Sequence, residues 1–68
     1  MKISKIIDAV LGHRYWAVVV ERRGTATVEL TSAIHHSLAE AGAHAAAIEA
    51  GATYAVAAIV TFRSHRRL

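Results

Sequence analysis

The sequence lacks cysteine and proline altogether, and its 68 residues include only one tryptophan, two tyrosines and one phenylalanine. Without cysteine, the chain can form neither disulfide bonds nor thiolate metal sites, and nothing indicates an oxidising compartment. The longest apolar runs, residues 15–20 and 54–60, are far shorter than the roughly 20 residues that a membrane-spanning helix requires. Asp8 interrupts the apolar stretch near the N-terminus, which is therefore unlike a signal peptide. We expect a soluble, cytoplasmic protein without a membrane partner.

Catalytic motifs are also absent from the sequence. There is no G-x-S-x-G, P-loop or G-x-G-x-x-G motif, and no cysteine nucleophile. The carboxylates stand singly, with no spacing that would form an acid/base pair; they are Asp8, Glu21, Glu29, Glu40 and Glu49. We therefore expect a protein that is not an enzyme and needs no cofactor.

One polar stripe, His36, Glu40 and His44, contains residue types that bind Zn²⁺. On a single helix the first and last of these residues lie roughly 12 Å apart, because each residue rises 1.5 Å. They cannot reach one metal ion together. The stripe predicts a solvated helix face and no metal site.

The small size of the chain makes self-association an expectation. A domain of this length buries only about 60% of the surface that its unfolded chain exposes, so its core is marginal. Disulfide bonds are excluded, and no metal site is expected. Burial of apolar surface between chains remains as a source of stability.

The first half of the chain predicts a short helix and a β-hairpin. Apolar residues recur at helical spacing over residues 3–11, and Gly12 ends this helix. Nine residues are too few for a helix that is stable by itself, so it must dock on something. Residues 14–31 then form two strands around a two-residue loop, Arg23 and Gly24, in which the glycine takes a positive φ. This loop pairs Arg22 with Thr25.

The second half predicts a long helix and a third strand. The helix covers residues 32–50, with Thr31 or Ser32 as N-cap but no Glu or Gln three residues later to complete a capping box. Its core-facing stripe comprises Ile34, Leu38, Ala41, Ala45 and Ile48. Residues 53–63, rich in β-branched and aromatic side chains, form the strand. Residues 64–68 are a basic, frayed tail.

These elements predict a small α+β fold with α-β-β-α-β topology. The third strand pairs either antiparallel with the first, giving a mainly antiparallel sheet of order 2-1-3, or parallel with the second. We prefer 2-1-3, because it places the strand that is apolar on both faces in the centre. The long helix covers one face of the sheet. Either the N-terminal helix or a second subunit covers the other.

Two apolar surfaces are candidates for an interface with a second copy or a partner. The outer sheet face is predicted to carry Trp16, Val18, Val20 and Ile59, whose burial contributes about 1.5 to 3 kcal/mol apiece. The back of the long helix carries alanines where lysine and glutamate are usual, among them Ala39, Ala43 and Ala47. Small residues allow close approach of another backbone, although alanine is also simply the best helix former. We expect a homodimer.

Positive charge is predicted to converge at the end of the sheet opposite the hairpin tip. The chain has eight Lys/Arg against five Asp/Glu, a net charge of +3 with neutral histidines. The side chains expected at this end to contact an anion or a nucleic acid are Arg14, His36, Arg63, Arg66 and Arg67. The N-terminus of the long helix adds free N–H groups there, which favour an anion.

The leading hypothesis is therefore a small, self-associating protein-binding module that acts by occupying the surface of a macromolecular partner. One alternative is a basic nucleic-acid-binding module. Another is an engineered or alanine-enriched variant without retained activity. In its size, its hairpin, helix and strand, and its lack of catalytic motifs, the chain resembles small accessory and inhibitor proteins of phages and mobile elements, anti-CRISPR proteins among them. This resemblance is one of type and transfers no residues.

Overall fold

The computed structural model describes residues 3–68, apart from the side chain of Ser4. Two helices and three strands follow one another as α1 (Ile3–Leu11), β1 (His13–Arg22), β2 (Val28–His35), α2 (Leu38–Glu49) and β3 (Tyr54–Ser64). The strands form one antiparallel sheet in the order β2-β1-β3. The small α+β fold, its α-β-β-α-β topology and the strand order 2-1-3 are thus confirmed. Residues 1 and 2 lie outside the described part.

Helix α1 ends at Gly12, whose φ of 88° places it in the left-handed region that favours glycine. The Gly12 N–H donates to the Asp8 carbonyl over 2.8 Å and closes the last turn. Arg63 near the end of β3 bonds to Asp8 and to the Gly12 carbonyl, so the C-terminal end of α1 docks at the end of the sheet opposite the hairpin tip.

The hairpin loop is longer than the sequence predicts. Strand β1 ends at Arg22 and β2 begins at Val28, so five residues, 23–27, separate the strands, and the Arg22 N–H donates to the Thr27 carbonyl over 3.2 Å. The predicted pairing of Arg22 with Thr25 is wrong by two residues, and Val20 lies opposite Glu29. The reason is that Gly24, with a φ of 81°, completes a turn closed by a bond from the Thr25 N–H to the Arg22 carbonyl. This turn leaves two further residues before β2 pairs.

Arginines at the hairpin tip fasten it to the start of β3 and the end of α2. The Arg23 guanidinium donates to the Tyr54 carbonyl over 3.1 Å and forms a 3.4 Å ion pair with Glu49. The Arg22 guanidinium donates to the Tyr54 hydroxyl and lies 5.8 Å from the centre of that ring. This hydrogen bond raises the pKa of Arg22 above its ordinary value. Because these groups are exposed, they serve mainly to set the position of the tip.

Helix α2 begins later than predicted, since residues 32–35 continue β2. Its N-cap is Ser37, whose hydroxyl accepts from the Glu40 N–H over 3.1 Å, and the Glu40 carboxylate accepts from the His36 N–H over 3.0 Å. The pair resembles a capping box, except that the Glu40 carboxylate binds the N–H of the residue before the N-cap. The predicted caps Thr31 and Ser32 are therefore wrong. Of the predicted core stripe, Ala41 is fully buried and Ala45 and Ile48 pack beside it.

The long helix packs on the sheet face opposite to the predicted one. The core consists of Val18 and Val20 against Ala41, with Trp16 and Val56 packed around them. Strand β1 is apolar on both faces, so side-chain alternation could not decide which face α2 covers. The connection from β2 through α2 to the parallel strand β3 is a crossover, and its handedness determines the face.

A bulge in β3 explains a second difference. Val19 pairs with Ala58 and Val20 with Val56, so Ala57 is an extra residue on β3. A single extra residue reverses the alternation of a strand. For this reason Tyr54 and Val56 face α2, whereas Val60 and Phe62 face away, although the sequence predicts them on one face.

No helix in the described residues is long and apolar enough to cross a membrane.

Candidate functional site

The sheet face turned away from α2, here called the outer face, is apolar; Tyr15 and Ala17 on its central strand are buried, whereas its two edges are partly or largely exposed. Strand pairing places its members side by side: Val19, Val28, Leu30, Ile34, Val60 and Phe62. Leu30 is 62% exposed and Val28 is 58% exposed. Side chains of this size each contribute about 1.5 to 3 kcal/mol when fully buried. The exposed edges of the outer face, Val28 and Leu30 above all, therefore have no apolar partner within residues 3–68.

The apolar stripe of α1 is equally unpartnered. Its five side chains are between 37% and 73% exposed; they are Ile3, Ile6, Ile7, Val10 and Leu11. The sequence left open whether residues 3–11 or a second subunit covers the sheet. Because all five remain exposed, α1 does not pack its apolar stripe on the outer face of its own chain.

The total exposed surface agrees with these two observations. The chain exposes 4902 Å², against about 4,200 Å² for a compact monomer of 7.3 kDa. Its radius of gyration is 14.2 Å, against about 11 Å for a compact chain of this length. The excess of about 700 Å² reflects an extended molecule, with extents of 48 × 19 × 15 Å.

The predicted interface residues fall into two groups. Val18 is completely buried, Val20 nearly so, and Trp16 packs beside them beneath α2. Their assignment to the outer face is wrong, because α2 occupies their side of the sheet. Ile59 is 36% exposed at the edge of that same side. The alanines on the back of α2 are exposed, and their contact with a partner stays a prediction; they are Ala39, Ala43 and Ala47.

A pocket of about 640 Å³ lies at the end of the sheet opposite the hairpin tip, here called the basic pocket. Its lining comes from α1, the start of β1, the segment after β2 and the tail; it comprises Asp8, His13, Arg14, Tyr15, Trp16, His36, His65 and Arg67. Of the residues predicted to contact an anion, Arg14, His36 and Arg67 line this pocket. Strand direction alone is enough to bring them to one end.

Arg63 and Arg66 are placed differently from the other predicted anion contacts. The Arg63 guanidinium donates to the Gly12 carbonyl over 2.8 Å and to the Asp8 carboxylate over 3.2 Å. Its side chain thus joins α1 to β3, which sequence reasoning missed. Arg66 is exposed and does not line the basic pocket.

Cations outnumber anions at the basic pocket. Asp8 is the only carboxylate among the described lining residues, and it pairs with Arg63 and, at 3.8 Å, with His13. Arg14 lies directly opposite Arg63 on neighbouring strands. Like charges in such a pair are destabilising. Asp8 offsets the charge of Arg63, whereas Arg14 and Arg67 have no ion-pair partner within residues 3–68.

The tail, predicted to fray, is held against the sheet. The buried Tyr15 hydroxyl donates to the Arg66 carbonyl over 3.5 Å and accepts from the Leu68 N–H over 3.4 Å. The Tyr15 ring also packs edge-on against His36, with the ring centres 5.2 Å apart. These contacts hold the tail residues of the pocket in place. A buried tyrosine hydroxyl usually has a hydrogen-bond partner, so Tyr15 near the start of a buried strand is the sequence feature that could have indicated an ordered tail.

The predicted polar stripe of His36, Glu40 and His44 does not lie along one helix face, and a carboxylate is placed at the N-terminus of α2. His36 precedes α2, and His44 pairs with His35 through ring nitrogens 2.8 Å apart. In the part of the chain that the structure describes, no three His, Asp or Glu side chains are grouped to hold a metal. The Glu40 carboxylate already occupies the N-terminal turn of α2. The helix therefore adds less to an anion site than predicted.

Comparison of the chain with protein-family models, with curated proteins and with solved structures finds no match.

Proposed function

We propose that this chain is a small non-catalytic binding protein that self-associates, with α1 of each copy lying on the outer face of the other. The observation that supports this proposal is the solvent exposure of the whole apolar stripe of α1. A nine-residue helix is marginal in water unless its apolar side packs against something. A second copy supplies the missing surface.

Several observations favour a second copy as the occupant. The chain carries both an unpartnered amphipathic helix and an unpartnered apolar sheet face, so two copies satisfy both surfaces in a reciprocal, twofold arrangement. The sizes also agree, because α1 is about 13 Å long and three strands are about 10 Å wide between their outer axes. Helix α1 can therefore cross the whole sheet.

The energy available is of the right order. Each residue of the α1 stripe retains roughly half of its exposure, which leaves about 1 kcal/mol per side chain to be gained by burial. Two helices together contribute about 10 kcal/mol. Association opposes this with about 4 to 15 kcal/mol of lost freedom, so burial of the outer face is needed as well. We expect dissociation to be measurable at micromolar concentrations.

The first test is the mass of the free protein, measured by sedimentation at micromolar concentration. We expect a dimer for the unchanged chain and a monomer for Ile6→Glu and Leu30→Glu. The matched control is Ala9→Glu, which adds the same charge to α1 away from its apolar stripe. A monomeric unchanged chain contradicts the proposal. So does binding of the unchanged chain to lipid vesicles that Ile6→Glu abolishes, because the apolar stripe of α1 would then bind a membrane surface. If Ala43→Glu alone gave a monomer, the interface would lie on the back of α2.

The second test locates the contact by cross-linking. Since the chain has no cysteine, single cysteines report cleanly. We expect a mixture of Ile7→Cys and Leu30→Cys chains to form mixed disulfides under mild oxidation, faster than either variant alone. Rapid cross-linking of Ile7→Cys with itself would instead show helix-to-helix contact, and would contradict the reciprocal arrangement.

A further inference from the structure

The basic pocket has the dimensions and charge of a binding site. Its volume of about 640 Å³ lies within the range of about 300 to 1,000 Å³ that is usual for small-molecule sites. Two arginines, three histidines and one carboxylate line it, and that carboxylate is already paired with Arg63. An anion entering the pocket would meet the unpaired guanidinium groups of Arg14 and Arg67.

We infer that the basic pocket binds the phosphate group of a small phosphorylated ligand, with Arg14 and Arg67 as the phosphate contacts. Guanidinium groups bind phosphate through two parallel N–H bonds, which makes arginine the preferred residue for this group. The pocket is larger than a bare phosphate needs. Trp16 is also part of its lining and adds apolar surface that the organic part of the ligand could contact.

The sheet itself gives a second reason to expect an anion. Arg14 and Arg63 are directly opposite each other on β1 and β3, and Asp8 neutralises only one of them. A dianion beside Arg14 offsets this like-charge repulsion, and so stabilises the fold as well as being bound by it. Phosphate should therefore raise the thermal midpoint more than sodium chloride of equal ionic strength does.

Hydrogen bonds hold the tail segment that lines the pocket. The Tyr15 hydroxyl bonds to the tail on either side of Arg67, through the Arg66 carbonyl and the Leu68 N–H. The backbone around Arg67 is thus held at the pocket that Arg14 also lines, although it comes from the last residues of the chain. Binding needs little further ordering of this segment, and ordering of loose segments is one of the main terms that weaken binding.

The test is calorimetric titration of the full chain with inorganic phosphate, AMP, adenosine and a single-stranded oligonucleotide at low salt. Trp16 is the only tryptophan and lines the pocket, so its fluorescence provides a second readout. We expect AMP to bind more tightly than phosphate, and adenosine not to bind. An oligonucleotide that binds more tightly than AMP would identify nucleic acid as the source of the phosphate. An oligonucleotide that binds while phosphate and AMP do not overturns the inference.

Matched variants separate the pocket from general positive charge. Arg67→Gln and Arg14→Gln should each weaken AMP binding by about tenfold or more, because each removes a charged hydrogen-bonding partner. Arg66→Gln removes the same charge from the neighbouring position of the tail but lies outside the pocket, and should change affinity much less. Equal losses in Arg66→Gln and Arg67→Gln, or no binding of phosphate or AMP at all, overturn the inference.

Discussion

Replacement of Gly12 by alanine tests how α1 is joined to the sheet, and Gly24→Ala is its matched control. Both glycines have a positive φ, 88° and 81°, so both substitutions carry the same backbone penalty. They differ in their surroundings. A Cβ atom on Gly12 would lie 2.6 Å from the carbonyl carbon and oxygen of Ser64, whereas Gly24 has open space around it.

The expected magnitudes follow from these two terms. A left-handed conformation costs an L-residue about 1 to 2 kcal/mol, and the reduced freedom of the unfolded chain returns about 0.4 to 1 kcal/mol. Gly24→Ala should therefore lower the unfolding free energy by about 1 kcal/mol. In Gly12→Ala the overlap with the Ser64 backbone adds about 1 to 3 kcal/mol, because no flexible side chain can move aside. Its total is about 2 to 4 kcal/mol.

Urea unfolding followed by far-ultraviolet circular dichroism measures both variants. A chain of this size has a total stability of about 3 to 10 kcal/mol, so the difference is well within reach. All chains should be compared at one protein concentration, because self-association would itself contribute to stability. Equal unfolding free energies for Gly12→Ala and Gly24→Ala would refute the close approach of Gly12 to Ser64.

Three further substitutions test local features of the fold. The buried Thr31 hydroxyl has no hydrogen-bond partner in residues 3–68, so Thr31→Val should leave the unfolding free energy unchanged or raise it by about 1 kcal/mol; a clear loss would show that the hydroxyl is bonded. Ser37→Ala removes the N-cap and should cost about 1 kcal/mol, whereas Ser32→Ala should stay within about 0.5 kcal/mol; equal losses would contradict the observed start of α2. Tyr15→Phe keeps the ring but releases the tail, so trypsin should cleave the tail faster, and an unchanged rate would show that the hydroxyl does not hold it.

The order of the elements was predictable because each has a clear periodicity, but the start of α2 was not read correctly. Its signature, Ser37 followed three residues later by Glu40, is present in the sequence. It was missed because Thr31 and Ser32 are also acceptable caps. Residues 32–35 pair with β1 only beyond an irregularity in the register, between Ala17 and Val19, that no local sequence signal marks.

The face that α2 covers could not be derived from hydrophobicity. Val18 and Val19 are adjacent, equally apolar and on opposite faces, so either assignment buries a valine. The bulge at Ala57 also has no sequence signature, because it lies within an alanine-rich run that contains no glycine. Trp16, Val18 and Val20 were assigned to the wrong face because of this ambiguity. The predicted strand order is correct because it does not depend on which face α2 covers.

The charged end was predicted more successfully, because only strand direction determines it. The start of β1 and the ends of β2 and β3 must lie together in this topology, which brings together Arg14, His36 and Arg67. Sequence reasoning could not foresee that Asp8 would bind Arg63, since these residues are 55 positions apart. That pair depends on where α1 docks, and this is a property of the folded chain alone.

The docking of α1 also bears on our proposal that a second copy covers the outer face. Gly12 is in contact with the Ser64 backbone, and Arg63 bonds both to the Gly12 carbonyl and to Asp8. If α1 folded back onto the outer face of its own sheet, these contacts at the end of α1 would have to break and a half-buried guanidinium would lose its partners. Loss of hydrogen bonds to a charged group costs about 1.5 to 3 kcal/mol each, which opposes such a movement. A second copy can cover the outer face while these bonds stay intact, and this is the physical reason to prefer an intermolecular solution.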